Sequence, residues 1–259
     1  MLITILGCGG SFGVPSIDSG FFKCNPLNSK NIRLRTSALI EDGDTTILID
    51  SGPDFRVQAI ENKITKLDAI LYTHAHGDHI MGINELRAIN KLMDKVIPIF
   101  LTKNTLKYLK QQFKFAITNN NTELKGFYKP MLDPNIIKYY DVFYIGKTKI
   151  QVTKQNHGYS ETSGFIINDK LVYATDFISL PLKTMNLYKN KKLIIVAAVQ
   201  KEKHSCHLDF ESVLQLIKDL KIEVGYLTHM GASMDYDEIL LETAKFNIFP
   251  CYDNLKIEV

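Results

Sequence analysis

The chain has little cysteine and no cysteine pairing pattern. Cys8, Cys24, Cys206 and Cys251 are spread over 259 residues, and none forms a Cys-x-x-Cys pair. This excludes a disulfide framework of the kind that staples small secreted domains and reads as reduced thiols in a cytoplasmic protein. Long apolar runs are missing as well. The longest, residues 193–199, suits a buried strand and falls far short of the ~18 residues needed to span a bilayer. The opening Met1-Leu2-Ile3-Thr4-Ile5-Leu6-Gly7 has no basic region ahead of an apolar stretch, so it reads as a first strand and not a signal peptide. Charge of one sign is not in excess either. A formal net charge of +3 implies no strong field and does not by itself point to nucleic acid. No Gly-, Ser- or Pro-rich linker marks a boundary, which predicts one domain over residues 1–259.

What is present is a core and an alternation. Hydrophobic residues make up 45% of the chain, enough for a sizeable interior. Strand-like runs at 2–6, 37–41, 46–50, 69–72 and 97–101 alternate with helix-like stretches at 55–62, 82–92 and 104–114. Asp42-Gly43-Asp44 is a hairpin signal. The second half follows the same scheme, with strands at 149–154, 163–168, 171–174, 193–198, 222–227 and 255–259. Asp209 is an N-cap candidate for a helix carrying Phe210, Val213, Leu214, Ile217 and Leu220, and Asp235 with Glu238 resembles a capping box. Residues 116–140 have the poorest pattern. Asn119-Asn120-Asn121 suggests a turn or tip, and the stretch reads as a lid-like insertion between two halves. The expectation is an α/β sandwich of two mixed sheets packed face to face with helices outside.

The densest chemistry is Thr73-His74-Ala75-His76-Gly77-Asp78-His79, three imidazoles and a carboxylate just past an apolar strand. A strand end can aim alternate side chains the same way, so His74 and His76 can share one metal, and a turn at Gly77 can bring Asp78 and His79 to a second. A mixed nitrogen and oxygen set suits zinc, iron or manganese, whereas a structural zinc more often uses cysteines. The bland alternative is a surface histidine cluster, which would seldom place four potential ligands so close together. His157 and His229, taken alone, would be ordinary histidines. A Gly-rich turn, Gly7-Cys8-Gly9-Gly10-Ser11-Phe12-Gly13-Val14-Pro15, can present backbone N–H groups to an anion or can simply be a tight turn. Gly10 and Ser11 are the candidate contacts. His204 and His207 precede an amphipathic helix. His207 could serve a leaving oxygen, while His204 could equally be a solvated histidine beside Lys201 and Lys203.

The histidine motif resembles the His-x-His-x-Asp-His signature of the metallo-β-lactamase superfamily. Further motifs appear in the same order: Ile47-Leu48-Ile49-Asp50-Ser51-Gly52, His157 in Gln155-Asn156-His157-Gly158, Asp176 in Tyr173-Ala174-Thr175-Asp176, and His229 in Tyr226-Leu227-Thr228-His229-Met230. The resemblance implies the four-layer αββα metallo-β-lactamase sandwich. It also implies a binuclear site in which His74, His76 and His157 hold one divalent ion, zinc or manganese. Asp78, His79 and His229 hold the other, and Asp176 bridges. Asp50 then orients a ligand histidine, Asp78 has a catalytic as well as a ligand role, and the two metals share a hydroxide. Gly13-Val14-Pro15, Arg33-Leu34-Arg35-Thr36-Ser37 and His207-Leu208 are similar to the phosphodiesterase branch that contains phosphoribosyl 1,2-cyclic phosphate phosphodiesterase and, more distantly, ribonuclease Z. Arg35 is then a candidate phosphate contact and His207 a candidate general acid. That branch often carries a third, structural zinc on a cysteine cluster and a further histidine. Here only Cys24 remains of the cluster and Ala232 stands in the histidine's place, so no third zinc is expected.

The expected activity is hydrolysis of a small cyclic, ribosyl or nucleotide phosphodiester. Ribonuclease Z-like processing of tRNA is the alternative. It is not favoured, because residues 116–140 are not basic enough for an RNA clamp. A glyoxalase-type thioesterase or a non-catalytic binding scaffold would make less use of His207 and of the intact ligand set. A membrane partner is not expected, and a homodimer is left open.

Overall fold

The computed structural model describes residues 1–118 and 129–259. In chain order the elements are β1 (Leu2–Gly7), β2 (Ser37–Asp42), β3 (Thr45–Ile49), α1 (Phe55–Glu61), β4 (Ala69–Leu71), α2 (Gly77–Ile80), α3 (Leu86–Met93), β5 (Ile97–Thr102), α4 (Lys103–Gln112), β6 (Leu132–Ile137) and β7 (Val142–Ile145). There follow β8 (Thr148–His157), β9 (Ser160–Ile167), β10 (Leu171–Ala174), α5 (Leu182–Tyr188), β11 (Leu193–Ala197), α6 (Phe210–Asp219), β12 (Val224–Thr228), α7 (Tyr236–Thr243), β13 (Ile248–Pro250) and β14 (Leu255–Glu258). Two seven-stranded sheets result, ordered β14-β1-β2-β3-β4-β5-β6 and β13-β12-β11-β10-β9-β8-β7. Each is mixed. The hairpin β2–β3 is antiparallel and β3 to β6 run parallel, while β7–β8–β9–β10 are antiparallel and β10 to β13 parallel.

Period-two patterning explains the layers. In β3 and β4, Ile47, Ile49, Ala69 and Leu71 face the second sheet and join the larger core with Ile150, Val152, Phe165 and Tyr173. Their neighbours Leu48, Ile70 and Tyr72 point the other way, onto Phe55 of α1, Leu86 and Ile89 of α3, and Leu106 and Leu109 of α4. On the far side Phe210, Val213 and Ile217 of α6 cover β11 and β12. This is the expected four-layer α/β sandwich with helices outside.

The N-cap bonds read from the sequence form, although among the described residues no return bond from Glu238 to the Asp235 N–H completes a capping box. The Asp209 side chain accepts from Ser212 N, and Asp235 accepts from Asp237 N and Glu238 N. Two readings of the chain need correction. Residues 132–137, placed in the insertion, are strand β6, paired in parallel with β5 at the sheet edge. Pro134 there hides the strand from a pattern search, and an edge tolerates a residue without an N–H. The stretch 82–92 is also not one helix: a short turn at Ile83–Glu85 precedes α3. The expected tip at Asn119-Asn120-Asn121 lies outside the described residues. No helix among the described residues is long and apolar enough to cross a membrane.

Candidate metal centre

The chemistry gathers at the C-terminal ends of the parallel strands, where loops leave both sheets. After β4 the chain runs extended through Thr73, His74 and His76, then turns into α2 at Gly77. His74 and His76 are thus loop residues and not the last residues of a strand. Their rings still lie 4.5 Å apart, because the extended backbone keeps the alternation that a strand would give. The loop after β3 fits closely beneath α2. A side chain at Gly52 would collide with the Asp78 carbonyl, and one at Gly82 with the Gly52 carbonyl, so both positions need glycine.

Two ligand sets converge. His74, His76, His157 and Asp176 form one, and Asp78, His79, Asp176 and His229 the other. Within each set the ligand atoms lie within 4.8 Å of one another. Asp176 belongs to both. Its Oδ2 is 3.4 Å from His74 Nε2 and 2.9 Å from His79 Nε2, and its Oδ1 is 3.4 Å from His229 Nε2. Asp78 Oδ2 is 3.3 Å from His79 Nε2. The short approach to His79 lacks the direction of a hydrogen bond. His74 Nε2, His79 Nε2 and Asp78 Oδ2 are buried and find no hydrogen-bond partner among the described residues. Buried polar atoms without partners are costly, and here they aim at common points. Three imidazoles with one carboxylate, and two of each, are fitting donor sets for divalent metal ions.

The other nitrogen of four ligand rings is fixed. His79 Nδ1 donates to Asp50 Oδ2 at 2.7 Å, and His157 Nδ1 to the Cys206 carbonyl at 2.9 Å. His74 Nδ1 meets Thr73 Oγ1 at 3.0 Å and His229 Nδ1 meets Thr36 Oγ1 at 3.0 Å. Each contact leaves Nε2 to face the centre. Asp50 is fully buried and is itself held by Thr73 N at 2.8 Å and Thr73 Oγ1 at 2.7 Å. Asp50, Asp176 and His229 all lie within two residues of a strand end and adopt left-handed backbone, with φ of 60°, 57° and 55°.

Electrostatics favour cations. Burial drives His74 well below the ordinary imidazole range, helped by His79, and burial with His157 lowers His76. Burial opposes charge on Asp176, yet His229, His79 and His74 bring its carboxyl well below the usual range. His79 and His229 do the same for Asp78. Burial also works against a proton on His79, but Asp176, Asp78 and Asp50 lift it well above its ordinary value. His74 and His76, neutral beside ionised carboxylates, are in the protonation state that ligation requires, whereas His79 holds a proton that a metal would displace. The carboxylates around His79 would favour any cation placed among them.

His207 is buried beside the centre, 4.7 Å from the His157 ring and 5.4 Å from the His229 ring. Burial, with His229, His157 and His204 nearby, pushes it down to about 3, against a smaller opposing pull from Asp176. His204 is exposed and packs 4.9 Å from His207. Both line a cavity of about 600 Å³ together with Gly10, Ser11, Phe12 and His229. Arg35 does not join them. Its Nε lies 2.7 Å from Asp54 Oδ2, and Asp54 also accepts its backbone N–H. This ion pair engages the Nε edge of Arg35 and anchors the start of α1, while the Nη1 end of the guanidinium lies near Gly13 of the cavity wall. Near Cys24 the interior holds Arg33, whose guanidinium donates to Asn31 Oδ1, Met234 O and Gly231 O. A buried cation thus ties the N-terminal loop to the loop after β12. Thr36 and the Cys206 carbonyl escaped the sequence because their partners are remote in the chain. Thr73 could have been noticed beside the motif.

This fold and these residues define a protein of the metallo-β-lactamase type with two convergent sets of candidate metal ligands. The family model for the Beta-lactamase superfamily domain matches residues 45–230, and the chain belongs to that superfamily. It is 26% identical over 258 residues to an octanoyltransferase of Porphyromonas gingivalis, covering 99% of this chain but only 51% of that protein, so the chain spans about half the length of that relative. It is 23% identical to the anti-Pycsar protein Apyc1 of Paenibacillus sp., covering 90% of each. Among solved structures it is similar to a diphosphatase of the PhnP family, with a TM-score of 0.89 and 26% identity over 100% of this chain and 97% of the other.

Proposed function

We propose that this protein is a binuclear metal-dependent phosphodiesterase, working as a single unit over residues 1–259 on a small cyclic, ribosyl or nucleotide diester. The carrying observation is Asp176, shared by two four-ligand sets whose free nitrogens and oxygens converge. The likeness to a PhnP-family diphosphatase along the whole chain supports phosphorus as the centre attacked. His74, His76 and His157 would hold one metal, zinc or manganese, and Asp78, His79 and His229 the other. When bound, the pair activates water and polarises phosphoryl oxygens as a Lewis acid.

The residues around the centre then have separate tasks. Asp50 orients His79. The Gly10–Ser11 turn lies beside His229; the Gly10 N–H is given to the Met230 carbonyl at 3.1 Å, so Ser11 would meet the anionic ester. His207 reaches the cavity as a neutral imidazole at pH 7, given its value of about 3. It therefore acts first as a hydrogen-bond donor to the departing oxygen. A charge-assisted hydrogen bond of ~1.5–3 kcal/mol corresponds to ~10–150-fold in rate, less than the ~10²–10⁴ typical of full proton transfer. Burial raises the Cys24 thiol despite the Arg33 guanidinium nearby, which favours two metals and no third.

The test is a steady-state panel of bis(p-nitrophenyl) phosphate, a cyclic phosphodiester, a phosphomonoester and a thioester. Diesters should be hydrolysed and the monoester hardly at all. A thioester cleaved orders of magnitude faster would overturn the reading. His207→Ala should slow an alkyl diester by ~10–150-fold and a p-nitrophenyl ester much less, because p-nitrophenolate leaves without help.

A further inference from the structure

The 600 Å³ cavity meets the centre at His229. A second cavity, of about 300 Å³, meets it at the opposite ligand set. Its walls are His74 and His76, Asn104 and Thr105 in the first turn of α4, Tyr108 further along that helix, and Tyr159 at the tip of the β8–β9 hairpin. That volume is at the lower end of the ~300–1,000 Å³ usual for small-molecule sites. His207 and His204 border only the first cavity. A diester lying across the centre with its leaving oxygen at His207 must therefore direct its other substituent towards Tyr108 and Tyr159.

The chemistry of that wall is specific. Tyr108 is 47% exposed and Tyr159 fully exposed. Both rings stand open beside the centre, and no stacking or hydroxyl hydrogen bond engages either of them among the described residues. The Asn104 amide, on the same cavity wall, is exposed and makes no side-chain hydrogen bond among the described residues. Among the described residues the one carboxylate at the rim, Glu161, is paired with Lys154. Two open aromatic faces with a free amide suit a flat heteroaromatic ring carrying hydrogen-bonding edges.

We propose that Tyr108, Tyr159 and Asn104 form a subsite for the non-leaving substituent, that this substituent is a nucleoside, and that the preferred substrate is an open-chain nucleoside diester spanning both cavities. The inference rests on the phosphodiesterase reading for its chemistry but not for its binding test. The base stacks on the tyrosines, the amide of Asn104 reads its edge, and the phosphorus lies over the ligand sets.

Binding is measured by calorimetry on the metal-loaded protein, with thymidine 5′-monophosphate and inorganic phosphate as probes. Turnover is measured with thymidine 5′-(p-nitrophenyl phosphate) and methyl p-nitrophenyl phosphate, which share a leaving group. The wild type should favour the thymidine compound in both comparisons. In Tyr108→Ala and in Tyr159→Ala each preference should fall by about tenfold. Both side chains are at the surface, so folding is not at risk, and Tyr108→Phe should keep the preference. A wild type that binds the nucleotide no better than phosphate overturns the subsite, and so do alanine variants with an unchanged preference. If the nucleotide preference falls as expected but neither ester is hydrolysed, the subsite stands and the phosphodiesterase reading falls.

Discussion

Asp50→Asn exchanges one oxygen for an NH₂ group and leaves shape nearly unchanged. The wild-type carboxylate accepts three hydrogen bonds, from Thr73 N, Thr73 Oγ1 and His79 Nδ1. Asparagine also tolerates the left-handed backbone of this position better than other side chains do. With its oxygen kept on Thr73 N, the new NH₂ group faces His79 Nδ1. That nitrogen must then accept, so the ring proton moves to Nε2, the atom that should ligate. Turning the amide over restores the tautomer but sets two donors against each other at Thr73 N, at ~1–3 kcal/mol. Losing the charge on the acceptor removes roughly another 1 kcal/mol from the bond to His79. The total of ~2–4 kcal/mol corresponds to ~30–1,000-fold in affinity for the metal at His79, above the 10–100-fold common for such supporting residues. Competition with a chromophoric chelator at pH 7 reads this directly. We expect one tightly held metal per chain in the variant and two in the wild type, with the fold intact by circular dichroism. An Asp50→Asn protein that holds both metals as tightly as the wild type would refute the tautomer argument.

Other perturbations give sharp outcomes. Asp176→Ala should lose at least one metal and all turnover, because both ligand sets lose a carboxylate; full metal content by elemental analysis with normal activity would place the bridge elsewhere. Gently purified protein should contain two divalent ions, and a reproducible third that survives mild chelation would contradict the expectation drawn from the lone Cys24 and from Ala232. Asp235→Ala should cost ~2–4 kcal/mol in denaturant unfolding: ~1 kcal/mol for the lost cap, and the rest for the N–H groups of Asn25 and Asn31 left without an acceptor. Although burial opposes it, hydrogen bonds from Asn25 N, Glu238 N and Asn31 lower the Asp235 carboxyl. Its contribution is therefore present above the unfolded value of ~3.9 and is lost as pH falls below it. The difference between variant and wild type should shrink in that acid window, and a difference that grows there would reverse the sign.

The sequence disclosed most where chemistry is contiguous. His74 to His79 could be read directly, since one loop and one helical turn place them. His157, Asp176 and His229 stood out only through the order of motifs, because each comes from a different strand end. Residues that act across the fold were invisible. Thr36 supports His229 from 193 positions away, and the Cys206 carbonyl supports His157 from 49. Arg35 was singled out through the stretch Arg33-Leu34-Arg35-Thr36-Ser37, which gives no sign of its ion pair with Asp54, 19 positions further on. β6 was missed because Asp133, Pro134 and Asn135 carry no strand signal, and only the register with β5 makes them one. The Tyr108 and Tyr159 pair had no signature at all, lying on a helix and a hairpin 51 positions apart.

The left-handed backbone of Asp50, Asp176 and His229 sets the terms on which this centre can decay or be transplanted. Any replacement at these positions inherits the dihedral along with the vacancy. A β-branched residue meets a steric penalty of ~1–3 kcal/mol, whereas glycine relieves the conformation that the original residue endured. At Asp50 that relief is opposed, because glycine would leave Thr73 N, Thr73 Oγ1 and His79 Nδ1 without their acceptor, whereas asparagine keeps a polar group there and tolerates the dihedral. Grafting the six-residue histidine motif onto another scaffold would recreate only half of the apparatus, because the remaining half depends on strand ends that already bend the unfavourable way.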